Sequence, residues 1–155
     1  KVAFLSPICT TSVGYLRKEG YLKALRAQGQ DSFEPIYVEF GGYGNFKDLL
    51  MNTLRDHDID GILATDEFSA IYALNTVKQM GYKVPDHISI IGFTDGPMAA
   101  ITNPPLSMVS QHAERIGRHA VKIFLHRLAN KTWEDPKRKI LRPGLLLRGS
   151  TKILG

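Results

Sequence analysis

An open, mainly parallel α/β sheet with helices on both faces is the fold this sequence predicts, and three observations predict it. Short apolar runs, apolar on both faces of the extended chain, alternate with segments of helical period. Glycine and proline stand at the boundaries between them. With 155 residues, 43% hydrophobic and 23% charged, the chain is long enough for one buried core and has the composition of a globular protein.

The elements follow in order. Val2 to Leu5 is a continuous apolar run, and Leu16, Gly20, Tyr21, Ala24 and Leu25 then recur at helical spacing, with Gly29 as the stop. Ile36, Val38 and Phe40 alternate as a second strand. Phe46, Leu49, Leu50, Thr53 and Leu54 mark one face of a second helix. Gly61 to Ala64 is the third strand, and Ala70, Ile71, Leu74 and Val77 a third helix stopped by Gly81, with Pro85 just beyond. Ile88 to Phe93 is the fourth strand. The pattern then changes: Gly96-Pro97 and Asn103-Pro104-Pro105 are turn chemistry, and Leu106 to Ser110 is a short strand. A long helix follows, with Ile116, Ala120, Ile123, Phe124 and Leu128 as its apolar stripe, then a polar stretch from Trp133 to Arg138. Two short runs, Ile140-Leu141 and Leu145 to Leu147, flank Pro143-Gly144.

Composition excludes several classes. No apolar run approaches the length that spans a bilayer, so no membrane partner is expected. Cys9 is the only cysteine, which rules out an internal disulfide and a thiolate-rich metal site and fits a reducing, cytoplasmic setting. The chain begins within a strand-like pattern, without the features of a signal peptide, and is read as a fragment. Its net charge of +5 is read as spread over several segments, with one run at Lys137-Arg138-Lys139 taken as a solvated loop. No helix-turn-helix or basic helix precedes the sheet, so DNA contact is assigned to a part outside this chain.

Three sets of residues invite chemistry. Asp56, Asp58, Asp60, Gly61 and Glu67 satisfy a calcium-loop pattern. The same residues also form a helix-to-strand turn, which is preferred because no second loop is present and the alternation needs Gly61 to Ala64 as a strand. His112, His119 and His126 recur every seven residues, about 10 Å of helix, which is too far apart for one metal ion. No metal or cofactor is expected. In an open parallel sheet ligands gather beyond the carboxyl ends of the strands. Arg17, a planar donor fork near such an end, suits sugar hydroxyls, carboxylates or phosphates, or else a surface ion pair. Thr65, Asp66, Thr94 and Asp95 lie just past the third and fourth strands. Asp66 also reads as a helix cap and Asp95 as a turn residue.

Read together, several segments resemble the lactose-repressor (LacI/GalR) family of bacterial regulators. Arg17, Gly20, Tyr21, Ala24 and Leu25 resemble its R-x-x-G-[YFW]-x-x-A-[LM] helix. Asp60 to Asp66 resembles its D-[GA]-[IV]-x-[AC]-x-[ND] strand and turn. Gly81 to Pro85, Ile88 to Phe93, Pro105 to Gln111 with Gly117, and Leu147 to Thr151 are similar to later motifs in the same order.

The resemblance implies a two-subdomain sensor, similar to periplasmic sugar-binding proteins, in which an effector in a cleft shifts affinity for operator DNA. It implies that residues 1–111 form the C-terminal subdomain. Residues 112–155 would be a crossover helix and terminal strands running to the first subdomain and back, with the DNA-binding domain absent. Arg17 then resembles the family's ligand-clamping arginine, Thr65 a cleft position, and Phe40 its aromatic platform, unless Phe40 is core. Thr94 stands where the family commonly has Asp, with Asp95 following, which departs from the usual sugar contact. A homodimer is expected, and a fragment exposing the stripe of helix 113–129 is expected to self-associate through it. A periplasmic sugar-binding protein and a flavodoxin-like enzyme are the rival readings. No nucleophile motif or phosphate loop supports enzyme chemistry.

Overall fold

The computed structural model describes residues 1–7, 11–29, 34–130 and 138–152. Cys9 and most of the stretch from Trp133 to Arg138 lie outside them. The elements are β1 (Val2–Pro7), α1 (Ser12–Ala27), β2 (Ile36–Phe40), α2 (Phe46–Asp56), β3 (Gly61–Ala64) and α3 (Glu67–Gln79). They continue with β4 (Ser89–Phe93), α4 (Pro97–Ile101), β5 (Ser107–Ser110), α5 (Ala113–Asn130) and β6 (Gly144–Leu146).

The strands form one sheet in the order β2-β1-β3-β4-β5-β6. The first five run parallel, with Pro7 beside Phe40, Leu5 beside Ala64, Leu63 beside Ile91 and Phe93 beside Val109. Only β6 is antiparallel, pairing Met108 with Leu146. The predicted mainly parallel sheet is therefore present, and its parallel register sets every exit loop along one edge.

Alternation along the strands divides the core. Ala3, Leu5, Ile62, Ala64, Ile90 and Met108 join Phe46, Leu50 and Leu54 of α2 and Ala70, Leu74 and Val77 of α3 in one buried cluster. On the other face Phe4 stacks on Tyr21 of α1 with ring centroids 5.2 Å apart, and both meet Tyr37 edge-on. The Tyr21 hydroxyl donates to the Val2 carbonyl at 2.7 Å, so a phenol enters this packing without losing its hydrogen bond.

Local chemistry sets the helix ends. Thr11 caps α1 by accepting from the Gly14 amide, and Asp66 caps α3 by accepting from the Ser69 amide at 2.9 Å. Gly81, at φ +86°, ends α3 as predicted, and the Tyr82 amide reaches back to the Val77 carbonyl.

Three expectations are corrected. Gly96-Pro97 opens a short helix, α4, because proline at the first helical position needs no amide partner. Of the two final apolar runs, only Gly144–Leu146 pairs with the sheet, and Ile140 and Leu141 lie outside any strand. Positive charge is segregated. Residues 1–111 carry nine Lys and Arg against twelve Asp and Glu, whereas residues 112–155 carry eleven against three.

The segment with the calcium-loop pattern is a helix end, a turn and a strand, with α2 ending at Asp56 and β3 starting at Gly61. Gly61 starts β3, where an added Cβ would press on the Val2 side chain at 3.2 Å, so its small size serves strand packing. Among the described residues no group of three or more His, Cys, Asp and Glu could hold a metal ion. No helix among them is long and apolar enough to cross a membrane.

Helix α5 has no buried residue, and Ile116, Val121, Phe124, Leu125 and Leu128 are all exposed. Its apolar stripe is largely exposed, and among the described residues Leu141 lines a hollow beside Ile116, Ala120 and Ile123.

Candidate functional site

The residues beyond the carboxyl ends of β1, β3 and β4 meet at one rim. Arg17, in the second turn of α1, extends its guanidinium to the Thr65 carbonyl, with Nη1 donating at 2.6 Å. The same group lies over the Phe93 ring, 4.8 Å from its centroid, so α1 is tied to the exits of both β3 and β4. Burial lowers the pKa of Arg17 below the ordinary guanidinium value, and the nearby Asp66 charge pulls it back up. It stays a cation at any physiological pH, with donors beyond the one given to Thr65.

Thr65 itself is buried. Its amide donates to the Leu5 carbonyl at 2.9 Å and its hydroxyl to Ser6 Oγ at 3.2 Å, which joins the exits of β1 and β3 through a hydroxyl pair. Ser6 was not singled out from the sequence, because it lies inside an apolar run with no motif around it.

Thr94 directly follows β4 in the left-handed region, at φ 68°. A β-branched residue there is strained and persists only where its surroundings hold it. Its amide donates to the Val109 carbonyl at 3.1 Å and its carbonyl accepts from the Gly96 amide at 2.8 Å. Thr94→Gly is expected to raise stability by about 1 kcal/mol, since glycine adopts this conformation without a Cβ clash. Chemical denaturation checks this, and a lower midpoint for the variant would show that Thr94 is not strained.

The three carboxylates nearest the rim already have partners. Asp66 holds the amide and hydroxyl of Ser69 and accepts from the Tyr43 hydroxyl at 3.1 Å. Glu67 accepts from the Ala99 amide at 2.8 Å and so fastens α4. Asp95 pairs with Arg148, Nη2 to Oδ1 at 2.8 Å, with both side chains largely buried. Asp95 thus sits in the loop but is occupied by its own chain.

Phe40 is only 1% exposed and stands edge-on to Phe46, 4.8 Å away, inside the core. The alternation Ile36, Val38, Phe40 had placed it on the inner face, and that parity decides its fate. The aromatic surface at this edge comes instead from Tyr43, stacked on Tyr72 at 4.8 Å and meeting Phe68 edge-on. All three are exposed, and the Tyr43 hydroxyl is held protonated beyond its ordinary range, chiefly by burial. Tyr43 was missed, although its position among Gly41, Gly42 and Gly44 marked a turn that presents one aromatic ring.

The mainly parallel sheet thus carries Arg17, Thr65 and Thr94 beyond the carboxyl ends of its strands, the edge at which open α/β folds bind ligands. The chain belongs to the periplasmic binding protein-like domain family, whose model matches residues 1–151. It is 29% identical over 143 residues to the HTH-type transcriptional regulator CelR of Thermobifida fusca, covering 88% of this chain and 41% of that protein. It is 30% identical over 140 residues to the ribose operon repressor of Escherichia coli K12, covering 87% of this chain and 41% of the relative. A solved complex of CelR with cellobiose superposes with a TM-score of 0.81 at 26% identity, covering 96% of this chain and 46% of the other. The chain spans about two fifths of the length of these curated relatives. The lactose-repressor-like resemblance is borne out by these matches, which are transcription regulators.

Proposed function

We propose that this chain is the C-terminal part of the effector-sensing domain of a bacterial transcription repressor, recognising a sugar or related metabolite without transforming it. One observation carries the reading: Arg17, Thr65 and Thr94, drawn from three separate segments, converge on a single rim in a family member whose relative was solved with cellobiose. Arginine donors, the Thr94 hydroxyl and an exposed aromatic set suit a polyhydroxylated ring, which offers hydroxyls at its edge and an apolar face. The rim's carboxylates are taken by Ser69, Ala99 and Arg148, so the ligand is met mainly by donors. No residue among Arg17, Thr65 and Thr94 has a nucleophile-and-base arrangement, which favours binding over catalysis.

In this reading residues 1–111 are one subdomain, and residues 112–155 run to a first subdomain and back. Asp95 and Phe40 support the cleft from behind, Asp95 through its ion pair and Phe40 as packing beneath Tyr43. Operator DNA is bound by a domain outside this chain, in the cytoplasm, by a homodimer. Effector binding changes how the two subdomains close and thereby shifts DNA affinity. A thermal-shift screen of mono- and disaccharides and nucleobases on the full-length protein tests the assignment, with a saturable rise expected for one class. A flat response across the panel would count against it.

The exposed stripe of α5 bears on the chain by itself. Apolar area left in water costs about 25 cal/mol per Å², so the isolated chain is expected to self-associate through α5. Phe124→Glu with Leu128→Glu is expected to shift it toward monomer in light scattering, and an unaltered chain that stays monomeric at high concentration would contradict this.

A further inference from the structure

We infer that Arg148 is a positioning residue for the cleft: it staples the loop carrying Thr94 and couples that loop to the segment following α5. The proposal rests on the reading of this rim as an effector site.

Loop 94–106 leaves β4 and returns to β5. Arg148 touches both of its ends. Nη2 donates to Asp95 Oδ1 at 2.8 Å, next to Thr94, and Nη1 donates to the Leu106 carbonyl at 2.7 Å, where β5 begins. Its own amide donates to Ser107 Oγ at 2.8 Å. The loop is closed from within by the Leu106 amide on the Ala99 carbonyl, and Glu67 holds the Ala99 amide. A left-handed threonine requires this sort of enforcement, because the backbone relaxes wherever its neighbours permit. The ion pair is about four-fifths buried on both sides, so it is less screened than a surface pair.

The tail carrying Arg148 is itself fixed. The Ser150 hydroxyl donates to the Ile90 carbonyl at 2.6 Å and accepts from the Ser107 amide, while the Ile90 amide donates to the Ser150 carbonyl at 2.8 Å. Residues 148–151 therefore bridge β4 and β5 near their starts, and Arg148 extends that fixed point to the loop at their other end. Between α5 and Arg148 lies β6, paired to β5. A displacement that pulls on β6 reaches Thr94 by two contacts, the β5 ladder, where the Val109 carbonyl accepts the Thr94 amide, and the Arg148 guanidinium on Asp95, which gives the site a route by which a movement of β6 alters the geometry of the cleft.

Hydrogen exchange of the 155-residue chain tests the staple without any effector, so its outcome is separate from that of the effector screen. Arg148→Met and Asp95→Asn are each expected to raise exchange of segment 94–101 at least tenfold. Segments 2–7 and 61–64 should stay unchanged, and the double variant should be no faster than the faster single one. Arg148→Lys should fall between. In a Thr94→Gly background, where no strained backbone needs holding, Arg148→Met should add less than threefold. Unchanged exchange in 94–101, a rise shared equally with 2–7 and 61–64, or an undiminished effect of Arg148→Met beside Thr94→Gly would each overturn the proposal.

Discussion

Gly92→Val is expected to destabilise the chain by about 3 kcal/mol or more, at the upper end of what overpacking costs. A Cβ at Gly92 would stand 2.8 Å from the Ala70 Cβ and 2.8 Å from Met108 Sδ. The methionine can swing aside, but Ala70 has no rotamer to change and belongs to the wholly buried face of α3. Relief therefore requires α3 to lift from β4, which opens the contact holding Asp66 and Glu67 at the rim. Thermal and denaturant unfolding will measure the loss. A Gly92→Val protein with unaltered stability would mean that α3 does not pack against β4 as described.

Arg17→Ala is expected to weaken effector binding about 100-fold, the loss for removing roughly two charge-assisted hydrogen bonds from a ligand. Stability should change much less. Within the protein the side chain makes one hydrogen bond to Thr65 and one cation–π contact with Phe93, the latter worth about 0.5–1 kcal/mol at a partly exposed site. Arg17→Lys keeps the charge and loses the planar fork, so it should recover only part of the affinity. Titration calorimetry beside thermal unfolding separates the two effects. Equal affinity in Arg17→Ala would remove Arg17 from the site.

Much of this architecture was legible because it is periodic. Buried parallel strands appear as uninterrupted apolar runs, and α2 and α3 bury the residues that their spacing marks. Helix α4 was not legible. Five residues are too few for a period, and Gly96-Pro97 has the chemistry of a turn as well as of a helix start. Arg17 and Thr65 could be placed at the rim from strand order alone, yet their contact joins residues 48 apart and follows from the fold, not from local pattern.

The residues whose surroundings were not legible in the sequence share a cause. Asp95 has a typical ligand position, but its partner Arg148 lies 53 residues downstream, beyond the reach of any local motif. Phe40 was weighed by its chemistry although its parity pointed inward, and Tyr43 was passed over because a glycine-rich turn lacks periodicity. Departures from family pattern at Thr94 coincide with the left-handed backbone, a conformation that sequence does not announce in threonine. Sites depend on loops, and loops are specified by long-range contacts.

Titration calorimetry of the full-length protein with a cellobiose, ribose and nucleobase panel, run in parallel on the Arg17→Ala variant, tests most directly whether this rim holds a metabolite. Saturable one-site binding of one class, unaccompanied by chemical conversion and reduced about 100-fold in the variant, is the predicted result. Binding that Arg17→Ala leaves intact, or turnover of the bound compound, would contradict it.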